Sequence, residues 1–198
     1  MIARLILLSS LGLTLVAAPV LAAPAAPPAA APAEAAVNPV EKPIRTLIGA
    51  IRFGKFPMAL QQLSGDAQGK VLLGDEWQKA TEAQRSEFIK TFHAVFAKQA
   101  MPKIQSNFEH LEAMVYEAPE ITGDTAAIKS VVTVLHAMKK QEFKLKYKLA
   151  KVGADWKIVD VSVLGDSMLK GIRDDQIIPI MKEGGWNQLL QLLREKAK

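Results

Sequence analysis

The sequence predicts an α+β fold, with helices packed on a four-stranded, at most five-stranded, antiparallel sheet. Two observations carry this. Apolar residues recur at spacings of three and four before residue 112 and again after residue 167. Between them lie four runs rich in β-branched and aromatic residues, separated by short turn-prone links. Helices, then strands, then helices is the order expected when helices cover one face of an antiparallel sheet.

The amino terminus reads as an export signal rather than as fold. Arg4 supplies a positive start, Leu5 to Val16 form an apolar run, and small residues follow at Ala17, Ala18, Ala22 and Ala23. This is the three-part pattern of a secretory signal peptide, with cleavage expected after Ala22. The apolar run is too short to span a bilayer, which needs roughly 20 residues. Residues 23–40 are nearly all Ala and Pro, so they predict an extended spacer that buries no core. The folded domain is expected over 41–198.

Ile44, Leu47, Ile48 and Ile51 share one helical face behind Pro43, and Gly54 and Pro57 break the run. Ser64 to Gly69 reads as a glycine-containing loop. The strongest helix starts at Thr81. Thr81 and Gln84 form a capping box, and Phe88, Ile89, Phe92, Val95 and Phe96 make its apolar stripe. Pro102 predicts a kink or restart, after which Ile104, Phe108 and Leu111 keep helical spacing.

The strand runs are Val115–Ile121, Ala127–His136, Gln141–Val152 and Trp156–Leu164. The expected links are Thr122-Gly123-Asp124, Met138-Lys139-Lys140 and Gly153-Ala154-Asp155. Phe143, Leu145, Tyr147 and Leu149 alternate with Lys144, Lys146 and Lys148, which gives one buried face and one wet face. Met168, Ile172, Ile177, Ile178 and Met181 mark a further helix. Gly184-Gly185 ends it, and Trp186, Leu189, Leu190 and Leu193 mark the last.

Composition narrows the function. The 198 residues suit one domain, and 49% hydrophobic content allows a sizeable core. There is no cysteine, so disulfides, thiol catalysis and cysteine-bound metals are excluded together. The formal charge of +5 is spread along the chain and only 6% of residues are aromatic, which does not fit a nucleic-acid binder. His93, His110 and His136 have no metal-site spacing, and no nucleophile or phosphate-loop motif is present, so no metal, cofactor or catalytic residue is expected. Asp160, between Val159 and Val161, is the one acid in an apolar context. It reads as a strand residue facing out, or as one bonded to a neighbouring loop. Lys144, Lys146 and Lys148, with Lys139, Lys140 and Lys151, form a basic stripe: a solvated face, or a docking face for an acidic partner or anionic surface. Runs such as Val131-Val132 and Ile158-Val159 are apolar on both faces, and periodicity alone does not separate a packed core from a ligand pocket.

The order of these motifs resembles the MlaC / Ttg2 (toluene-tolerance) family. Leu73-Gly74-Asp75-Glu76-Trp77, Ala80-Thr81, Gln84-Arg85, Phe88 and Phe92 are similar to that family's first signature. Trp156-Lys157-Ile158-Val159-Asp160-Val161 with Gly165, Ser167 and Met168 resembles its last strand and exit, and Arg173, Ile177, Gly184-Gly185, Leu189-Leu190 and Leu193 its tail. Gln99-Ala100-Met101-Pro102 stands where tyrosines are usual, Ile172 where an aromatic is usual, and the Ala/Pro spacer is an addition.

The resemblance implies a shape like nuclear transport factor 2, an apolar cavity between sheet and helices, and a periplasmic phospholipid carrier with no cofactor and no reaction. Its implied partners are a phospholipid or hopanoid-like lipid, an inner-membrane ABC transporter with an MCE subunit, and an outer-membrane lipoprotein complex. Each methylene exposed to water costs roughly 0.8 kcal/mol, so two acyl chains in bare transit would cost on the order of tens of kcal/mol. Alternation and helix phase nominate the cavity wall as Phe92, Phe96, Phe108, Val132, Val134, Leu145, Tyr147, Val159, Val161, Val163, Met168 and Ile172. Two rivals remain: an enzyme on the same fold using Asp160 and Tyr147 as acid and base, and an adaptor with a filled core that docks through the lysine stripe.

Overall fold

A computed structural model describes residues 38–136 and 139–198. The expected signal segment, most of the spacer, and Met138 of the expected link lie outside them. The last spacer residues are described, and they fold: the Val40 N–H donates to Asn38 Oδ1 at 3.0 Å, and Val40 is buried.

The first helices are α1 (Glu41–Arg52), α2 (Phe56–Leu60), α3 (Gly65–Leu73) and α4 (Asp75–Lys79). The long α5 (Glu82–Gln99) and α6 (Met101–Phe108) follow. The predicted stripe of α1 is its buried face: Ile44, Leu47, Ile48 and Ile51. The capping box forms at Thr81 and Gln84, and the helix breaks ahead of Pro102, which sits in the first turn of α6. Ser64 to Gly69 is not a loop. Ser64 stands at the N-cap and Gly65 to Gly69 are helical; the glycine at position 69 fits under the Trp77 ring, where a Cβ would sit 2.5 Å from ring carbons.

Among the described residues the sheet has six strands, where the sequence predicts four or at most five: β1 (Leu111–Tyr116), β2 (Glu120–Thr122), β3 (Thr125–His136), β4 (Lys139–Val152), β5 (Asp155–Val163) and β6 (Asp166–Ser167). Its order is β1-β3-β4-β5-β6, with β2 also on β3, all antiparallel. The first predicted strand divides in two at Glu117–Pro119, and Lys139 and Lys140 belong to β4 rather than to a link. Ile128, Ser130, Val132 and Val134 of β3 and Leu145, Tyr147 and Leu149 of β4 are buried, while Lys144 and Lys148 are exposed. The alternation therefore does what the sequence predicts.

A bulge between β4 and β5 leaves Ile158, Val159 and Asp160 buried in succession. The outer edge of β5 is closed by Gln62–Ser64: Ile158 N–H donates to Gln62 O and Ser64 N–H to Ile158 O, each at 2.8 Å. The chain ends in α7 (Met168–Ile172), one π-helical turn (Arg173–Ile177) and α8 (Ile178–Ala197). Gly185, at φ +60°, breaks helical geometry inside α8, where the sequence places a helix end.

The buried residues form two clusters. One joins α1 to the sheet, through Ile44, Ile48, Ile128, Val132 and Tyr147 among others. The other joins α3, α4, α5, α7 and α8 around Trp77, Phe88, Phe92, Leu169 and Leu189. Helix α5 serves both, since Phe88 and Phe92 belong to the second and Phe96 packs on the first.

Candidate functional site

A cavity of about 650 Å³ lies where the two clusters stand apart, and residues of both line it. Dense packing is the rule inside proteins, so a gap of this size needs a reason. The sheet contributes Val132 and Val134 from β3, Leu145 and Tyr147 from β4, and Val159, Val161 and Val163 from β5. The helices contribute Phe92 and Phe96 from α5, Phe108 from α6, Met168 at the start of α7 and Ile172 at its end. All twelve positions nominated from the sequence are thus brought to one wall.

Sequence reasoning missed other parts of the wall. Leu47, Ile48 and Ile51 of α1 line the cavity, as do Ile104, Phe143, Ile158 and Leu169. Phe143 carried the same alternation as Leu145 and could have been found from it. The α1 stripe was visible, but nothing local says whether a stripe meets a packed neighbour or a gap. Ser106, Asn107, His110, Leu135, Gln141 and Met168 are the exposed members of the wall, so they form the rim. The polar rim residues had no sequence signal at all.

The buried polar groups of the wall are engaged. Gln68 Oε1 lies 2.8 Å from His93 Nε2, so the ring donates through Nε2–H to this oxygen. Burial lowers the His93 pKa, which favours that neutral ring. Ser130 Oγ and Tyr147 Oη are 3.5 Å apart, and burial pushes the Tyr147 phenol above its ordinary value. Asp160 accepts from Ser167 Oγ–H at 2.6 Å and from Leu169 N–H at 3.1 Å. Of the two readings of Asp160, the outward-facing one is therefore corrected: the carboxylate is buried and bonded to the start of α7. Among the described residues, no buried side-chain nitrogen or oxygen lacks a partner, and no group of three His, Cys, Asp or Glu could hold a metal. What the wall offers a guest is apolar contact.

On the sheet's other face, Lys129 stands opposite Lys146, and Lys144 opposite Val131. Lys140 is paired with Glu112 at 3.0 Å, and Lys129 reaches Glu117 at 3.6 Å.

Residues 63–195 match the family described as MlaC protein. The chain belongs to the MlaC family. No protein of curated function matches the sequence. Among solved structures, the phospholipid-binding protein of Ralstonia solanacearum, in complex with a phospholipid, aligns with a TM-score of 0.63 and 18% identity, covering 80% of this chain and 94% of that chain. At that identity the likeness establishes a shared fold. A solved structure bearing the NTF2 name aligns with a TM-score of 0.40 and 16% identity, over 62% of this chain and 94% of that chain. A SEC-C motif containing protein from Rhodopseudomonas palustris aligns with a TM-score of 0.39 and 7% identity, over 63% and 77%. Among the described residues of this MlaC-family chain, no helix is long and apolar enough to cross a membrane.

Proposed function

We propose that this protein is a periplasmic carrier that holds a phospholipid, or a related lipid such as a hopanoid, in the 650 Å³ cavity and moves it between the outer and inner membranes. The observation that carries this reading is the character of that cavity: it is walled by valine, leucine, isoleucine and phenylalanine, and its buried polar groups are already bonded to the protein. Water left against such a wall keeps apolar surface hydrated, at a cost of roughly 25 cal/mol per Å². An apolar guest with its head group at the rim removes that cost. The phospholipid held by the Ralstonia solanacearum protein, on the same fold, supports the choice of guest. The sequence's signal-peptide pattern supports the compartment.

In this reading the protein catalyses nothing. Asp160 and Tyr147 are not bonded to each other; one holds α7 and the other is paired with Ser130, with its phenol made less acidic by burial. An adaptor would have a filled core, and the cavity argues against it. In this reading the protein exchanges lipid with an outer-membrane lipoprotein complex at one membrane and an inner-membrane ABC transporter with an MCE subunit at the other. The deciding experiment is native mass spectrometry of protein purified from the periplasm without detergent, followed by extraction and lipid identification. A stoichiometric lipid is expected. A bare mass, persisting after incubation with liposomes, would overturn the reading.

A further inference from the structure

A second, smaller cavity of about 160 Å³ lies between α5 and α8, beside the π-helical turn. Val95, Ile180, Leu189 and Leu192 are among its walls. Phe92, Phe96 and Ile172 line both this cavity and the large one, so these three side chains form the partition between the two.

The partition is firm on one side and weaker on the other. Phe92 is buried and stacked on Phe88, with ring centroids 5.5 Å apart and planes 7° apart, and Phe88 in turn meets Trp77 and Trp186 edge-on. Phe96 is only half-buried and, among the described residues, has no aromatic partner. Ile172 is also half-buried and is the last residue of α7 before the π-helical turn, a local departure from α-helix that is often found at functional sites. An apolar cavity of ~150 Å³ admits a benzene ring, so 160 Å³ has room for roughly six carbons.

We propose that the smaller cavity receives the end of an acyl chain, about six carbons long, which enters from the large cavity by displacing Phe96 and Ile172. The smaller cavity then sets the longest chain the protein accepts. This rests on the lipid-carrier reading. The outer end of the small cavity carries Gln99, Gln176 and Lys196, all exposed, and a hydrocarbon chain stops short of them.

The test fills the small cavity from two sides without touching the large one. Val95→Phe on α5 and Leu192→Phe on α8 are each made, with folding checked by circular dichroism. Each protein is incubated with vesicles containing equal amounts of phosphatidylcholines with short and long saturated chains, and the bound species are read by native mass spectrometry. Each methylene denied burial lowers affinity roughly fourfold. Both variants should therefore lose long-chain lipid relative to short-chain lipid by about tenfold or more, with short-chain loading unchanged. Phe96→Ala, which thins the partition, should shift the ratio toward longer chains. An unchanged ratio in the folded filled variants would overturn this inference alone, with wild-type loading intact. Failure of the wild type to take up any of the lipids would overturn the carrier reading beneath it.

Discussion

The Asp160 carboxylate sits 2.6 Å from the Ser167 hydroxyl, which donates to it while accepting from Lys170 N–H at 3.0 Å. The other carboxylate oxygen accepts Leu169 N–H. A buried acid in the last long strand thereby ties down the first turn of α7, and with it Met168 and Ile172 at the cavity wall. Asp160→Ala leaves a buried N–H and a hydroxyl without their acceptor, at a cost of about 1–3 kcal/mol. A urea midpoint shift of that size is expected, with lowered lipid loading and a smaller effect for Asp160→Asn. An unshifted midpoint would show that the bonds contribute nothing.

A charge on the cavity wall should defeat loading. Val161 is half-buried on the wall and Val132 fully buried. Val161→Asp should reduce lipid occupancy at least tenfold, because an ionised carboxylate resists transfer into an apolar space. Val132→Asp should do the same where it folds. Unchanged occupancy in a folded Val161→Asp protein would remove the cavity as the lipid site.

Tyr147→Phe separates the carrier from the enzyme. The hydroxyl's contact with Ser130 is long, at 3.5 Å, so its loss should change stability by no more than about 1 kcal/mol. Lipid occupancy in native mass spectra should stay at the wild-type level. A lost catalytic turnover of any lipid substrate in this variant would revive the acid/base role.

His93 makes stability pH-dependent in one direction. Burial lowers its folded-state pKa below the ordinary 6.5, so the unfolded chain binds the proton more readily. The stabilisation is complete above pH 6.5 and is lost as pH falls below that value toward the depressed one. Thermal melts between pH 7 and about 5.5, above the ordinary carboxylate range, should show Tm falling with pH. His93→Gln should flatten that slope. A slope retained in the variant would place the titration elsewhere.

Gly69 and Trp77 should not tolerate a methyl group between them. The ring has other neighbours: its Nε1–H donates to Asp66 Oδ1 at 3.2 Å, Phe88 meets it edge-on with centroids 5.8 Å apart, and the Arg85 guanidinium stands 5.8 Å from its centroid. Gly69→Ala should destabilise by about 1–3 kcal/mol, typical of overpacking, and shift tryptophan emission. A neutral effect would mean that the ring has room to move.

How much of this was legible beforehand varies with the physics of each element. The Thr81–Gln84 box, the α1 stripe, the lysine alternation of β4 and the break at Gly185 are local in origin, set by hydrogen bonds within one turn or by which face is apolar. They were readable without a fold. The twelve wall positions were readable for the same reason, because period two and period 3.6 mark the face that turns inward.

What faces that inward side is not local. The Ser64–Gly69 stretch looked like a loop because glycine disfavours helix by about 1 kcal/mol, yet the Trp77 ring makes glycine the residue that fits there. The burial of Asp160 depends on a bulge in β5 and on hydroxyl and amide donors seven and nine residues further along. The division of the core into two clusters, and so the cavity between them, depends on where α5 crosses from one to the other. By itself the sequence determined the elements and their apolar faces. Only the tertiary structure decided that those faces stand apart rather than touch, because hydrophobic pattern records a preference for leaving water and says nothing of what the side chain meets when it does.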